Sequence, residues 1–238
     1  MRIDVLTIFP KMFDAVTKES ILKRAQEKGV CRINVIDLRF FTKDKHRKVD
    51  DKPFGGGPGM VMNAEPFFEA VNYIRRKTKQ KRLKTRIILM SPKGEVFDQG
   101  LAKRLSKYEH MVFLCGHYEG IDERVTENLV DEDVSIGDFI LTGGEIPAMA
   151  VIDAVVRLLP GALGNEDSSK DESFSDARLE CPHYTRPADY KGLKVPKVLL
   201  SGDHKKIKKW RKDESLRTTK EKRPDLVNDE RRSDEEVY

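Results

Sequence analysis

The stretch that decides the fold is Ser135–Pro147, which reads Ser-Ile-Gly-Asp-Phe-Ile-Leu-Thr-Gly-Gly-Glu-Ile-Pro. Glycines flank its apolar run Phe139–Leu141, which predicts a short buried strand that opens into tight turns. Two other apolar runs, Ile87–Met90 and Met111–Leu114, also lead into glycine-bearing turns. One such turn is typical of any loop. Three in series favour a shared ligand site, because glycine lets backbone approach a ligand closely and parallel sheets bind ligands at their strand ends.

Strands and helices alternate through the first two thirds of the chain. Apart from the three apolar runs above, strands are predicted at Ile3–Ile8 and Ile33–Leu38. Apolar residues at helical spacing predict helices at Lys11–Lys28, after Asn63, at Gln99–Tyr108, around Ile121–Leu129 and at Ile146–Leu159. This alternation is typical of an α/β fold with a parallel sheet.

The alternation stops at Pro160, and the residues that follow are mostly polar. We therefore divide the chain into a first domain at 1–160, an interdomain linker at 161–176 and a C-terminal domain at 177–238. The last domain contains no clear strand, and its main predicted helix is capped by Asp203.

Composition sets the class of protein. The 238 residues carry a net charge of +5, and no apolar run approaches the roughly 18 residues that span a membrane. The N-terminus reads as a strand and not as a signal peptide. Cys31, Cys115 and Cys181 are far apart and lack CxxC spacing, which argues against disulfides and a structural zinc site. We expect a cytoplasmic protein.

Basic residues form two clusters without an intervening acid. Arg75–Arg86 contains eight Lys and Arg residues, and Lys205–Lys212 contains six. The first joins a helix to a strand and is interpreted as a solvated loop. The second lies on a predicted helix and is interpreted as a nucleic-acid contact.

Several familiar signatures are absent from the sequence. Gly55–Gly59 is followed by no Gly-Lys-Ser/Thr, so it is not a P-loop. No GxGxxG follows the first strand, and neither HExxH nor GxSxG occurs. The five histidines have no metal-ligand spacing.

Six segments spread over the chain resemble one family, the bacterial tRNA (guanine-N1)-methyltransferases (TrmD family) of the SPOUT superfamily. They are Ile8–Pro10, Asp50–Met60, Gly116–Arg124, Ser135–Pro147, Cys181–Pro187 and Val195–Gly202. The resemblance implies a parallel sheet with a deep trefoil knot and a small, mainly α-helical C-terminal domain that binds tRNA. It also implies a homodimer whose active sites lie between subunits.

The activity implied by the resemblance is methylation of N1 of guanosine 37, immediately 3′ of the anticodon, with S-adenosylmethionine as donor. The implied donor-binding residues are Leu89, Ser91, Pro92, Gly116, Tyr118, Glu119, Gly120, Ser135, Ile136, Gly137, Phe139, Leu141, Gly143, Gly144 and Pro147. The implied tRNA-binding residues are His46, Asp50, Pro58, Glu180, Lys205 and Lys208. Glu119 is expected either to face the sulfonium or to help hold Mg²⁺, a second implied cofactor whose ligands the sequence does not identify.

The chemistry needs a base, because guanine N1 carries a proton at neutral pH. Glu172 stands where the family has its aspartate base, and the adjacent Asp171 is the alternative. Arg157 matches the family's catalytic arginine and is expected to stabilise negative charge at O6. Glu180 also replaces a family aspartate. His117 stands where the family often has arginine, and we assign it no role.

Three other functions compete with this interpretation. A non-catalytic RNA-binding protein of the same fold would not bind the donor. A SPOUT enzyme that modifies ribosomal RNA or a ribose hydroxyl would lack the anticodon-side segments Asp50–Met60 and Cys181–Pro187. A nucleotide-phosphate enzyme would need the missing P-loop lysine.

Overall fold

The computed structural model describes residues 1–78, 83–164, 172–174 and 178–228. The chain divides into two compact units, Met1–Gly164 and Asn165–Tyr238. The division falls within the predicted linker 161–176, most of which lies outside the described residues. Among the helices of the described residues, none is long and apolar enough to cross a membrane.

A five-stranded parallel sheet forms the centre of the first unit, in the order β2-β1-β6-β5-β7. The strands are β1 (Arg2–Thr7), β2 (Arg32–Asp37), β5 (Thr85–Val96), β6 (His110–Cys115) and β7 (Glu132–Ser135). Two short strands, β3 (Asp50–Asp51) and β4 (Val61–Met62), form a separate antiparallel pair. The sheet confirms the predicted α/β class with a parallel sheet.

Helices cover both faces of the sheet, because successive strand residues point to opposite sides. The helices of this unit are α1 (Asp14–Thr17), α2 (Ser20–Glu27), α3 (Ala64–Thr78), α4 (Gln99–Leu105), α5 (Glu123–Leu129) and α6 (Glu145–Arg157). One buried cluster joins α2, α4 and α6 to Ile3, Val5 and Phe113. The other joins α3 and α5 to Leu6 and Leu114. The central strand β6 is buried along its whole length.

Two local predictions differ from the structure. The single helix predicted at Lys11–Lys28 is a 3-10 turn at Pro10–Phe13 followed by α1 and α2, and Ser20 lies at the break with a φ of +47°. The strand predicted at Phe139–Leu141 is wrong, because the third strand of that group is β7. Phe139–Leu141 is instead an exposed loop, with Ile140 81% accessible. An apolar run therefore indicated burial where the chain has an apolar surface.

A buried polar network links four strands, β1, β2, β5 and β6, at the amino-terminal side of the sheet. Asp4 and His110 are both fully buried, with the His110 ring nitrogen Nε2 2.7 Å from Asp4 Oδ2. The Asp4 carboxylate also accepts hydrogen bonds from Arg2 Nε at 2.7 Å and from Asn34 Nδ2 at 2.8 Å. His110 Nδ1 lies 3.1 Å from Thr85 Oγ1. Burial opposes ionisation of Asp4, but its hydrogen bonds outweigh burial and lower its pKa below the usual 3.8.

This network predicts a pH dependence of stability. A carboxyl group with a lowered folded-state pKa contributes stability that is complete above its unfolded pKa and is lost as pH falls through the folded pKa. We expect the free energy of unfolding of the wild type to decrease as pH falls below about 4, and Asp4→Asn to lack that component. Urea unfolding across this range measures it. The exposed Asp14→Asn is the control, and an unchanged profile in Asp4→Asn would contradict the prediction.

The second unit is built around α7 (His204–Lys222), which is followed by α8 (Asp225–Asn228). The Asp203 side chain accepts a hydrogen bond from the Lys206 amide at 3.1 Å, which confirms the predicted cap. A 3-10 turn at Lys197–Leu200 precedes it. A two-stranded hairpin, β8 (Asp189–Tyr190) with β9 (Leu193–Lys194), was not predicted, because each strand has only two residues, all exposed.

Candidate functional site

One cavity of about 500 Å³ lies at the carboxyl ends of β5, β6 and β7. We call it the loop cavity and define it by the three segments that line it, 89–93, 116–126 and 133–147. All fifteen residues predicted to bind the donor are among its lining residues. The structure therefore brings together the three glycine-bearing loops, although the third leaves a different strand from the one predicted.

Other clefts of similar size occur in the first unit. One of about 550 Å³ lies at the opposite end of β5 and is lined mainly by polar residues of α3 together with Leu83 and Thr85. It is a polar surface groove. The loop cavity is distinguished by its position, because parallel sheets bind ligands beyond the carboxyl ends of their strands.

An irregularity in β5 creates the first wall of the loop cavity. β5 pairs with β7 at Met90 and again at Glu95, with a register shift between them. The intervening residues bulge away from the sheet and line the cavity at Ser91 and Pro92. At the base of the bulge, Gly94 packs directly on the β7 backbone, where a Cβ would lie 2.3 Å from the carbonyl carbon of Asp133.

Gly94→Ala is therefore expected to disturb both the sheet edge and the cavity. The added methyl meets backbone that cannot rotate away, and overpacking of this kind typically lowers the free energy of unfolding by about 1–3 kcal/mol. Thermal unfolding measures the loss. Gly164→Ala is the matched control, because a Cβ there meets nothing within 4 Å. Equal melting temperatures for the two variants would disprove the close contact.

Burial raises the pKa of two groups at the cavity. The Cys115 thiol is fully buried beneath it, and burial, followed by the nearby Glu145 charge, raises its pKa well above the ordinary value. Cys115 therefore stays a thiol and does not act as a nucleophile. Burial, and then the neighbouring Glu123 charge, also raises the pKa of Asp133, which lines the cavity and which the sequence did not identify.

The β3–β4 hairpin, which carries two predicted tRNA contacts, is hydrogen-bonded to segment 116–126 of the loop cavity. Asp50 pairs with Met62 in the β3–β4 hairpin, and Pro58 lies exposed in the connection between the strands. The Glu119 amide donates a hydrogen bond to Met60 O of the hairpin at 3.0 Å. The Met62 amide of the hairpin donates to Gly120 O at 2.9 Å. The structure thus brings Asp50 and the predicted donor loop onto one surface.

His46, the third predicted tRNA contact in this unit, is exposed in the loop before β3. Its backbone amide donates to Asp44 Oδ1 at 2.7 Å, which fixes the turn that presents the ring. The pKa of the Asp44 carboxyl group is lowered, chiefly because the Lys48 amide donates a hydrogen bond to it. The His46 amide adds to this effect, and the two hydrogen bonds outweigh the opposing effect of desolvation.

Within the second unit, Glu172 is half-buried at the start of a short anchored turn. Ser173 Oγ accepts a hydrogen bond from the Glu180 amide at 3.0 Å, and the Phe174 amide donates to Arg178 O at 2.7 Å. The structure therefore brings the predicted base and the predicted tRNA contact Glu180 into one small substructure. Asp171, the alternative base, lies outside the described residues.

The remaining predicted residues lie on helices. Lys205 and Lys208 are exposed on the first turns of α7. Arg157 is the last residue of α6 and is half-buried. The first turn of α6 borders the loop cavity at Pro147, so Arg157 lies at the far end of the helix, about 18 Å along its axis from Glu145.

Sequence reasoning missed Thr7 and Glu145, which meet behind the loop cavity. The Thr7 hydroxyl donates to Glu145 Oε1 at 2.6 Å across 138 positions of sequence. No periodicity or motif signals such a contact.

Within the described residues, no group of three or more His, Cys, Asp or Glu side chains is arranged to hold a metal ion, so we derive no step through Mg²⁺.

Comparison with known proteins gives a consistent result. Residues 1–229 match the model of the family described as tRNA (Guanine-1)-methyltransferase TrmD. A protein of Anoxybacillus flavithermus named tRNA (guanine-N(1)-)-methyltransferase is 56% identical over 227 residues, covering 95% of this chain and 91% of that protein. Proteins of the same name from Bacillus pumilus and Carboxydothermus hydrogenoformans are also 56% identical, over 96% and 95% of this chain and 92% and 87% of their own lengths.

Proposed function

Because this chain belongs to the tRNA (guanine-1)-methyltransferase family and is a tRNA (guanine-N1)-methyltransferase, we propose that it methylates guanosine 37 with S-adenosylmethionine as donor. The observation that carries the proposal is the loop cavity, which gathers every predicted donor-binding residue at the carboxyl ends of three parallel strands. Guanosine 37 is the nucleotide immediately 3′ of the anticodon, and the choice of that position rests on the resemblance of the anticodon-side segments.

The loop cavity suits a nucleoside-type ligand. Its volume falls within the range of about 300–1,000 Å³ that is usual for small-molecule sites. Leu89, Phe139 and Leu141 provide apolar wall, while Ser91, Ser135 and Glu119 provide polar groups. Glycines at 116, 120, 137, 143 and 144 leave backbone open to the ligand.

When bound, S-adenosylmethionine supplies the methyl group as an electrophilic carbon attached to a sulfonium. The protein must then make guanine N1 nucleophilic. In our proposal the Glu172 carboxylate accepts the N1 proton as the N–C bond forms and the methyl C–S bond breaks, so that the spent donor would leave as a neutral thioether. Negative charge that builds toward O6 is stabilised by the Arg157 guanidinium. The anchored turn at Ser173 and Phe174 supports this role, since it fixes the backbone that carries Glu172.

We propose that the first unit has the SPOUT trefoil knot. The chain leaves β7 at the edge of the sheet and returns to β6, where the Gly144 amide donates to Gly116 O at 2.8 Å. His117 forms an isolated bridge with Gly143 at the same place. Because β5 lies between β7 and β6, segment 136–144 must cross the carboxyl end of β5. A crossing of this kind supports threading through the neighbouring loops.

A homodimer is part of the proposal. Arg157 lies about 18 Å along α6 from the cavity end of the helix, farther than its side chain reaches. It can act at a donor cavity only if the second subunit provides that cavity. Exposed apolar side chains at Phe9, Met12 and Ile140 are typical of an interface. We expect the protein to sediment with the mass of a dimer in analytical ultracentrifugation.

The tRNA is proposed to contact the β3–β4 hairpin of the first unit and the exposed basic surface of α7, the main helix of a mainly α-helical C-terminal domain. Such a substrate places the enzyme in the cytoplasm. The hairpin would present Asp50 and Pro58 to the anticodon loop, and the loop before β3 would present His46. Glu180 would contact the target guanosine, while the lysines of α7 would contact phosphates.

Phosphate contacts from α7 predict a steep salt dependence of tRNA binding. Each neutralised phosphate contributes roughly 0.7–0.9 to the slope of log affinity against log salt concentration. We expect Lys205→Gln/Lys208→Gln to reduce this slope by about 1.5 and to weaken binding at low salt. Filter binding over a salt series measures it. Lys103→Gln/Lys107→Gln, two exposed lysines of the first unit, is the control, and equal slopes for both variants would remove α7 from the tRNA surface.

One experiment tests the proposed function directly. The protein is incubated with methyl-labelled S-adenosylmethionine and anticodon stem-loop RNA carrying guanosine or adenosine at position 37, and the methylated atom is identified by nuclease digestion and mass spectrometry. Label at guanine N1 of the first RNA alone supports the proposal. Label on a ribose, on another base or on no RNA at all rejects it.

A further inference from the structure

Glu145 is an unusual residue for the interior of this protein. It begins α6 and is only 1% exposed. A buried carboxylate is costly unless it is paired and hydrogen-bonded. The amino-terminal end of α6 lowers that cost, since a helix N-terminus favours negative charge. The remaining compensation must come from the side chains that surround the carboxylate.

Thr7 provides one directed hydrogen bond. Its hydroxyl accepts from the Phe9 amide at 2.9 Å and donates to Glu145 Oε1 at 2.6 Å. The single hydroxyl proton is directed at Glu145 Oε1, while an oxygen lone pair accepts from the Phe9 amide. The end of β1 is thereby tied to the start of α6.

His117 faces the other carboxylate oxygen. Its Nε2 lies 3.2 Å from Glu145 Oε2. That oxygen is buried and makes no hydrogen bond of good geometry with the described residues. The imidazole is therefore the group placed nearest to satisfy it.

The His117 ring is held on its other sides. The Phe9 ring packs edge-on against it at 4.8 Å, and the His117 amide donates to Met62 Sδ at 3.2 Å. A Cβ at Gly143 would lie 2.3 Å from His117 Nε2 and 2.5 Å from Glu145 Oε2. Only glycine at 143 leaves room for the imidazole and the carboxylate to meet.

The His117–Glu145 pair lies at the wall of the loop cavity. His117, Gly143 and Gly144 all line the cavity, while Glu145 stands behind them. We propose that Glu145 is a positioning residue for the donor site and that, through His117, it holds segment 116–120 against segment 142–144. The inference rests on the proposed function, since it takes the loop cavity as the donor site.

The test measures donor affinity and turnover separately. Calorimetric titration with S-adenosylmethionine should show a dissociation constant about tenfold weaker for Glu145→Gln, His117→Gln and Thr7→Val, because each removes a hydrogen bond involving a buried charge. Turnover at saturating donor should change by less than about threefold, since positioning of this kind acts before chemistry.

Three further variants separate positioning from general stability. The double variant Glu145→Gln/His117→Gln should bind the donor no more weakly than either single variant, because coupled residues are not additive. His117→Arg, which returns a cation to the position facing Glu145, should recover most of the affinity lost in His117→Gln. Thr17→Val removes another buried threonine hydroxyl, one bonded to Phe13 O, and controls for loss of stability alone.

The outcomes are distinct. If the wild type binds no donor, the proposed function itself fails. If the wild type binds and the three single variants bind equally well, or if the two substitutions are additive, the positioning role is rejected. A loss of affinity in Thr17→Val equal to that in Thr7→Val also rejects it, because the effect would then follow stability and not the Thr7–Glu145–His117 contacts.

Discussion

Glu172→Gln should reduce the rate of methyl transfer by about 10²–10⁴-fold, the usual contribution of a general base. The amide has nearly the shape of the carboxylate but cannot accept the N1 proton. Donor affinity should stay within about twofold, because Glu172 is not among the residues that line the loop cavity. Single-turnover methyl transfer gives the rate, and calorimetric titration with S-adenosylmethionine gives the affinity.

Glu172→Asp is the informative companion. It restores the carboxylate that the family carries at this position and shortens the side chain by one methylene, so it should retain far more activity than Glu172→Gln. Asp171→Asn tests the alternative base. A wild-type rate in Glu172→Gln with a large loss in Asp171→Asn would transfer the role to Asp171, and wild-type rates in both would reject a carboxylate base in this segment.

Arg157→Ala is expected to lower turnover by about 10²–10³-fold, the effect of removing one donor to a developing oxyanion. Loss of the guanidinium leaves charge at O6 without its partner. Donor binding should be retained, because the proposed partner of the Arg157 guanidinium is the charge that develops at guanine O6 during methyl transfer, and not the donor. Arg157→Lys keeps the charge without the planar fork and should recover part of the rate.

A substrate analogue tests the site of action of Arg157, and donor affinity and melting temperature distinguish this role from a structural one. An RNA with inosine at position 37 keeps both N1 and O6, so Arg157→Ala should slow it as much as the guanosine substrate. A loss of turnover accompanied by an equal loss of donor affinity or a lower melting temperature would instead indicate that Arg157 supports the fold.

Much of the first unit could be predicted from local pattern. The buried run Met111–Cys115 is apolar at every position because β6 is covered on both faces, and the turns that follow β5 and β6 meet at the loop cavity, at the strand ends where the pattern placed them. The failure at Phe139–Leu141 has a physical cause. Apolar residues that cover a cavity or an interface have the same local pattern as residues of a buried strand, and the pattern contains no information about what lies above them.

The sequence by itself determined most strands and helices of the first unit and the cap of α7 at Asp203, because these follow from interactions among residues a few positions apart. Only the tertiary structure decided the strand order β2-β1-β6-β5-β7, the return of the chain from β7 to β6, and the contact of Thr7 and His117 with Glu145. Thr7 and Glu145 are separated by 138 positions. Such contacts depend on how distant segments pack together, and the local periodicity of the chain does not encode that arrangement.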